Sequence, residues 1–166
     1  MASGDTLYTI TPESNQPPAS AYATPDRRNG LLVLDFDADT DENAIFVGIL
    51  PRHYAGGGIT VYLHWMASSA ISGTCRWAVA IERHLAGTDD SDSDSFATAQ
   101  TAGGTASGTS GSETVTSITF TDGAQMDSLT VGERFRLKVT RDADGTSGTD
   151  SVTGDTELVA VEIKET

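Results

Sequence analysis

The sequence predicts an all-β protein, a single antiparallel β-sandwich or jelly roll of about eight strands with an extended N-terminal arm. The first observation is that short runs of apolar residues recur at alternate positions, as in strands with one buried face. The second is that the segments between these runs are rich in Gly, Ser and Asp, which favour turns. A helical period never persists beyond a turn or two, and residues 123–132 are expected to hold one such turn.

Residues 1–28 differ in composition from the rest of the chain. They hold four of its five prolines, among Ser, Thr, Asn, Gln and Ala. Because proline fixes φ and lacks a backbone donor, we expect an extended arm that gains order by lying on a neighbour. Its one β-like stretch contains Leu7, Tyr8 and Ile10, which we predict to bind a partner. Residues 29–166 then form the domain, which is expected to fold without the arm.

Two long alternating runs, residues 59–66 and 75–82, are the clearest strands of this domain. A short loop joins them, so we expect an antiparallel hairpin. Trp65 and Trp77 fall on the inward phase and are predicted core residues. Cys75 shares that phase and is interpreted as a small core residue. As the only cysteine, it excludes an intramolecular disulfide.

The charge balance restricts the kinds of partner. The net charge is -14 and the pI is about 4.3. Such a surface repels phosphates, so no nucleic-acid partner is expected. The chain has no run approaching the ~18 consecutive apolar residues of a membrane span, so no membrane partner is expected either. Acidic surfaces favour protein partners that offer basic patches.

Two acidic clusters superficially resemble calcium loops. Residues 35–42 carry aspartates at alternate positions but lack the glycine and glutamate that an EF-hand loop needs at its sixth and twelfth positions. Asp142 and Asp144 precede Gly145, which would let the chain turn around an ion, although Asp-Gly is first of all a turn signal. We predict no metal and no cofactor, and calcium at the second cluster stays open as the alternative.

No constellation of residues points to catalysis. The chain lacks the G-x-S-x-G elbow that presents a nucleophile. His64 and His84 lie on the outward phase of the two long strands and are interpreted as solvent-facing, with one shared site as the alternative. Residues 56–58 are glycines that precede a strand, so we expect positive φ or close backbone approach there rather than phosphate binding. The protein is therefore predicted not to be an enzyme.

One strand carries the only concentrated basic stripe. Arg134, Arg136 and Lys138 project from the same face of this strand. We predict that the stripe binds an acidic partner, or the acidic loops of a neighbouring subunit. A solvated sheet face is the alternative.

Four extended segments resemble a family of small virion proteins of tailed bacteriophages: AIFVGILPRHYAGGGITVYLHWMA (44–67), DSDSFATAQ (92–100), FTDGAQMD (120–127) and FRLKVTRD (135–142). The resemblance covers about residues 30–166. It implies a jelly-roll head decoration (cement) protein that stabilises the shell from the outer surface of the virion. The implied partners are the major capsid protein and further copies of the chain, as a homotrimer.

Three rival functions stay open. The first is a tail or fibre protein that recognises a host receptor or glycan. The second is a glycan hydrolase or lyase, which would need a pair of carboxylates in a cleft. The third is a carbohydrate-binding module, for which Tyr54 and Tyr62 are the aromatic residues best placed to stack on a sugar.

Overall fold

The computed structural model describes residues 4–166 and confirms the all-β prediction; residues 1–3 of the expected arm lie outside it. Two antiparallel sheets form a β-sandwich. Two short 3₁₀ helices, Pro12–Ser14 and Ala124–Met126, accompany the strands, and the second is the turn expected within residues 123–132. No helix of the described chain is long and apolar enough to cross a membrane. The described strands are β1 (Thr6–Ile10), β2 (Thr24–Arg28), β3 (Leu31–Phe36), β4 (Glu42–Ile49), β5 (Ile59–Ala67), β6 (Thr74–His84), β7 (Gln100–Thr105), β8 (Thr114–Phe120), β9 (Arg134–Arg141) and β10 (Thr156–Glu165).

The first sheet is built around the C-terminal strand. One side of β10 pairs with β5, and β8 lies beyond β5. The other side of β10 is shared, because residues 156–158 pair with β3 and residues 161–164 pair with β1. β2 and β3 form a hairpin at this edge. The second sheet has the order β4, β9, β6, β7.

The predicted hairpin between residues 59–66 and 75–82 is wrong, because β5 and β6 lie in different sheets. The alternation is the same whether two strands share a sheet or face each other across the core, so the pattern does not distinguish the two arrangements. Their buried faces meet instead. The rings of Trp65 and Trp77 pack edge to face with their centroids 5.9 Å apart.

The core lies between the sheets and contains the residues predicted for it. Trp65, Trp77 and Cys75 are fully buried. The indole Nε1 of Trp65 donates to Thr116 Oγ1 at 2.9 Å, and the ring of Trp77 contacts Phe36 at 5.1 Å. Burial raises the pKa of the Cys75 thiol, so the thiol stays protonated at neutral pH. Cys75 is thus an inert core residue.

The described part of the expected arm, residues 4–28, is extended but lies on its own domain. β1 and β2 are strands of the first sheet, and Ile10 and Ala23 are buried. The segment between them runs along the free edge of β4, where the amide of Gln16 donates to the carbonyl of Ile45 at 2.7 Å. An uncovered edge strand presents unpaired backbone groups to other chains. The N-terminal segment therefore covers an edge that would otherwise be exposed.

The glycine run at residues 56–58 behaves as the sequence predicts. All three residues have positive φ, from +84° to +128°. A Cβ at Gly58 would collide with the carbonyl oxygen of Phe120. The run therefore lets the loop before β5 pass close to the backbone that follows β8.

Candidate functional site

The arm residues predicted to bind a partner contact their own domain. Ile10 is 7% exposed, and Leu7 and Tyr8 pack partly buried against the core. The hydroxyl of Tyr8 is hydrogen-bonded to the backbone of Ile49. These side chains are occupied by packing within the chain and do not form an open surface.

Arg134, Arg136 and Lys138 lie along the outer face of the second sheet, as their spacing predicts. A loop of the same chain, residues 85–99, lies over part of this stripe. The ring centroid of Phe96 in this loop is 5.0 Å from the guanidinium carbon of Arg136 and 4.8 Å from Nζ of Lys138. The stripe thus contacts an acidic loop of its own chain. The sequence did not indicate Phe96, because one aromatic residue in a polar loop carries no periodic signal.

The loop at 85–99 covers part of the outer face of the second sheet and buries the side chains beneath it. Ala80 and Glu82 lie on the outward phase of β6, yet they are 2% and 3% exposed. Glu82 is held by Arg136, whose Nε and Nη2 donate to its Oε1 at 3.0 and 2.7 Å. Pairing of this kind offsets the cost of burying the carboxylate.

The two outward histidines do not share a site. His64 lies on β5 and His84 on β6, so the two side chains project from different sheets. Nδ1 of His64 lies 2.6 Å from Oε1 of Glu113, and Nδ1 of His84 lies 3.3 Å from Oγ of Ser91. Each histidine therefore has its own polar partner.

Three carboxylates of the described chain lie close together. One oxygen each from Asp41, Asp142 and Asp144 lies within 4.8 Å of the others. Burial opposes ionisation of Asp142, but hydrogen bonds from Ser147 and Thr146 hold its pKa below the ordinary value. The sequence placed Asp142 and Asp144 together, whereas Asp41 reaches them only through the fold. Asp142 is satisfied by protein donors, and the group does not by itself indicate a metal.

Tyr54 is not a stacking platform, so that sequence prediction is wrong. Its side chain is only 7% exposed. Its hydroxyl accepts a hydrogen bond from the amide of Gly58 at 2.9 Å and lies 3.4 Å from Oδ1 of Asp122. Tyr54 is therefore held beneath the glycine run, where it fixes the loop.

Tyr62 lies on the open outer face of the first sheet, on the phase that the sequence predicts. It stands on β5, next to the edge strand β8, and lies directly between Ser117 of β8 and Glu162 of β10. The ammonium of Lys164 is 5.9 Å from the centre of its ring. Thr60 is two residues away on the same face. We call this group, Tyr62 with Thr60, Ser117, Glu162 and Lys164, the Tyr62 face.

A cleft of about 510 Å³ lies at one end of the second sheet. The end of β4, the end of β6 and residues 130–134 form its walls. Its ionisable side chains are Arg52, His84, Glu133 and Arg134. These come from separate segments, so the sequence alone did not bring them together. We call this the end cleft.

No protein-family model and no curated protein matches the chain. Solved structures do match it. The CBM36-1 domain of a multidomain xylanase from the hindgut metagenome of Trinervitermes trinervoides superposes with a TM-score of 0.53 at 12% identity, over 94% of each chain. The CBM22-2 xylan-binding domain of a Paenibacillus barcinonensis protein gives the same TM-score and identity over 96% of this chain and 99% of that one. The fold matches the jelly roll of carbohydrate-binding modules.

This finding corrects the function expected from the sequence resemblance. The two structures named above are carbohydrate-binding modules and not phage decoration proteins. The interpretation as a capsid cement protein is therefore wrong, and the alternative of glycan recognition stays open. The homotrimer and the virion location, which came from the same resemblance, stay predictions. Both matched chains are named as domains of larger proteins or as binding domains, and the expectation that this chain is not an enzyme stays a prediction.

Proposed function

We propose that the protein is a non-catalytic carbohydrate-binding module and that the Tyr62 face is its binding surface. The likeness to a xylan-binding domain, at 12% identity, supports the fold. The observation that carries the function is the position of Tyr62, a partly exposed aromatic ring on the outer sheet face with a paired strand on either side.

The composition of the Tyr62 face suits a sugar. A pyranose ring has an apolar C–H face that packs on an aromatic ring, while its hydroxyls need donors and acceptors at the rim. Thr60 and Ser117 supply hydroxyls on either side of the ring. Glu162 and Lys164 on the neighbouring strand supply an acceptor and a donor.

The face also presents these groups from a rigid support. Strands β8, β5 and β10 are continuously paired through this region, so the backbone spacing between the side chains is fixed. The carboxylate of Glu162 accepts a hydrogen bond from Oγ1 of Thr6 at 2.5 Å, which orients it on this side of the sheet. A preorganised surface loses little entropy when the ligand binds.

A tail or fibre protein that recognises a glycan would also need such a surface, so the proposal covers the glycan recognition in that alternative. A module of either kind would stack a sugar on an exposed ring. The proposal assigns binding to the surface and leaves the place of the domain in a larger assembly as a prediction.

Affinity gel electrophoresis of the full chain tests the proposal, with arabinoxylan, mixed-linkage β-glucan and laminarin as probes. We expect at least one of them to retard the protein. Tyr62→Ala should weaken that binding by about tenfold, since it removes the stacking ring. The matched control is Tyr22→Ala, because Tyr22 is 42% exposed but lies beside β4 of the other sheet.

Circular dichroism and the urea midpoint establish that both variants are folded. Equal retardation of Tyr62→Ala and the wild type would show that the binding surface lies elsewhere. If none of the three polysaccharides retards the folded wild-type chain, the carbohydrate-binding proposal fails for neutral glycans.

A further inference from the structure

The end cleft concentrates positive charge in a strongly acidic protein. The chain has only 10 Lys and Arg residues against 24 Asp and Glu. Arg52, His84 and Arg134 nevertheless line one cleft, with Glu133 as the one carboxylate among its lining residues. That carboxylate is turned to the protein backbone, since Oε2 of Glu133 accepts a hydrogen bond from the amide of Thr130 at 2.8 Å.

The cleft cations differ from their neighbours in having no ion pair. Arg83 pairs with Asp89 at 3.2 Å, and Arg136 pairs with Glu82. Within residues 4–166, neither Arg52 nor Arg134 has a carboxylate oxygen within 4.0 Å. Their charge is therefore available to a ligand.

Two of these groups already converge on one oxygen atom. Nη2 of Arg134 and Nδ1 of His84 each lie 3.3 Å from Oγ of Ser91 at the rim. Both contacts are long for hydrogen bonds between such atoms. An anionic oxygen that displaced the Ser91 hydroxyl would accept shorter, charge-assisted bonds from the guanidinium.

The guanidinium of Arg52 lies against the backbone of Gly132. That glycine has φ +81°, and a Cβ there would lie 3.0 Å from Nη1 of Arg52. The absence of a side chain thus lets the guanidinium pack against the backbone. This contact restricts its motion within the cleft.

The remaining walls are apolar and open. Ile49 is 56% exposed and Val131 is 43% exposed. Apolar side chains next to a group of cations suit a ligand that has both a C–H surface and a negative group.

We propose that the end cleft binds an acidic saccharide, with the carboxylate of a uronate or a sulfate ester held by Arg134, Arg52 and His84. The saccharide part of this inference rests on the proposed function, whereas the anionic part rests on the cleft alone. The site is separate from the Tyr62 face.

Two-dimensional ¹H–¹⁵N spectra of the full chain test this inference, with sodium glucuronate, sodium sulfate and glucose as probes at constant ionic strength. Glucuronate or sulfate should produce saturable shifts confined to the amides of Ile49, Leu50 and Arg52 and of residues 84–91 and 130–134. Glucose at the same concentration should leave these amides unchanged. Saturation by glucuronate supports a uronate as the ligand, whereas saturation by inorganic sulfate alone would retain the anion site and reject the saccharide part of the inference.

Arg134→Gln should weaken the affinity for the anion about tenfold, because it removes one charge-assisted contact. The control is Arg27→Gln, which makes the same change of charge on β2, where Arg27 also lacks an ion pair within the described chain. Shifts that are scattered, that equal those caused by sodium chloride, or that survive Arg134→Gln unchanged would overturn the inference.

The two proposals fail in different ways. Tyr62→Ala should weaken the retardation by the neutral polysaccharide and leave the glucuronate or sulfate shifts intact. Binding of neutral glycans without any anion site would retain the proposed function and reject the inference. If the cleft binds anions without preferring saccharides, the anion site is retained and the saccharide part of the inference is rejected.

Discussion

The phenol of Tyr8 ties the first strand to the opposite sheet by two hydrogen bonds to one residue. Its hydroxyl accepts from the amide of Ile49 at 2.8 Å and donates to the carbonyl of Ile49 at 2.6 Å. The ring packs edge-on against Phe135 at 5.8 Å. Gly48 makes room for both rings, since a Cβ there would lie 2.7 Å from Phe135 and 3.2 Å from Tyr8. One side chain thus provides hydrogen-bond partners for the backbone groups of Ile49 at the free edge of β4.

Tyr8→Phe keeps the ring and removes only the hydroxyl. We expect the free energy of unfolding to fall by about 1 to 2 kcal/mol, because the amide and the carbonyl of Ile49 both lose their partner. Urea unfolding measures this change. Tyr22→Phe is the control, since the Tyr22 side chain is 42% exposed. Equal stability of Tyr8→Phe and the wild type would contradict the role assigned to the hydroxyl.

Deletion of residues 1–28 should destabilise the domain, contrary to the expectation from composition. The truncation removes β1, β2 and the buried side chains of Ile10 and Ala23. The expected loss is on the order of 5 kcal/mol, comparable with the whole stability of many small domains. Urea unfolding of the truncated chain checks this, and a peptide of residues 1–28 added in trans should restore part of the midpoint. A truncated domain with the wild-type midpoint would restore the independent-arm interpretation.

The sequence was informative about which faces are buried and less informative about which strands are neighbours. Period-two alternation placed Trp65 and Trp77 in the core correctly, because burial depends on one face of each strand. Pairing depends on contacts between distant segments, and alternation does not encode them. The same limit explains residues 4–28. Their polar, proline-rich composition is typical of an arm, yet β1 and β2 pair with β10 and β3, and the backbone between them hydrogen-bonds to β4; composition does not indicate these backbone contacts.

The candidate sites likewise differ in how well the sequence predicts them. Tyr62 was predictable because its phase on β5 directly determines its exposure. Tyr54 was not, because it lies in a loop and its burial depends on contacts with Gly58 and Asp122. The end cleft could not be predicted from the sequence, because Arg52 and Arg134 are far apart in the chain and come to line one cleft only through the fold.

Arg141 should be among the least replaceable residues. It is fully buried and donates to Asp150 at 2.9 and 3.1 Å, as well as to the carbonyls of Val152 and Gly154. Arg141→Met leaves Asp150 as a buried carboxylate without its cation. The expected loss in urea unfolding is about 3 to 5 kcal/mol.

A double variant separates the charge from the packing at this site. Arg141→Met with Asp150→Asn removes both charges but keeps a side-chain oxygen for the amide of Arg76, which donates to Asp150 at 2.9 Å. It should be more stable than Arg141→Met alone, because no unpaired charge remains buried. If the double variant loses as much stability as the two single variants combined, the buried ion pair is not the source of the effect.

Asp35 makes stability depend on pH in an unusual direction. Burial, together with the carboxylates of Asp155, Glu157, Asp26 and Glu42, raises the pKa of Asp35 to about 7. Glu157 lies directly opposite Asp35 in the pairing of β3 with β10, and Oδ1 of Asp35 is buried without a hydrogen-bond partner. The folded state therefore favours the protonated acid.

The sign of the effect follows from proton binding. Between the unfolded pKa of about 4 and the folded pKa, the native state binds more protons at Asp35 than the unfolded state does. The contribution of Asp35 to stability is thus greatest below about pH 4, falls as the pH rises and levels off above the folded pKa of about 7. Asp35→Asn is neutral throughout, so its stability relative to the wild type should rise across this window and then stay constant. Urea unfolding at a series of pH values measures the difference, and the ¹³C shift of the Asp35 carboxyl follows the titration directly. A relative stability that does not change with pH, or a carboxyl that titrates near pH 4, would show that Asp35 ionises freely in the folded protein.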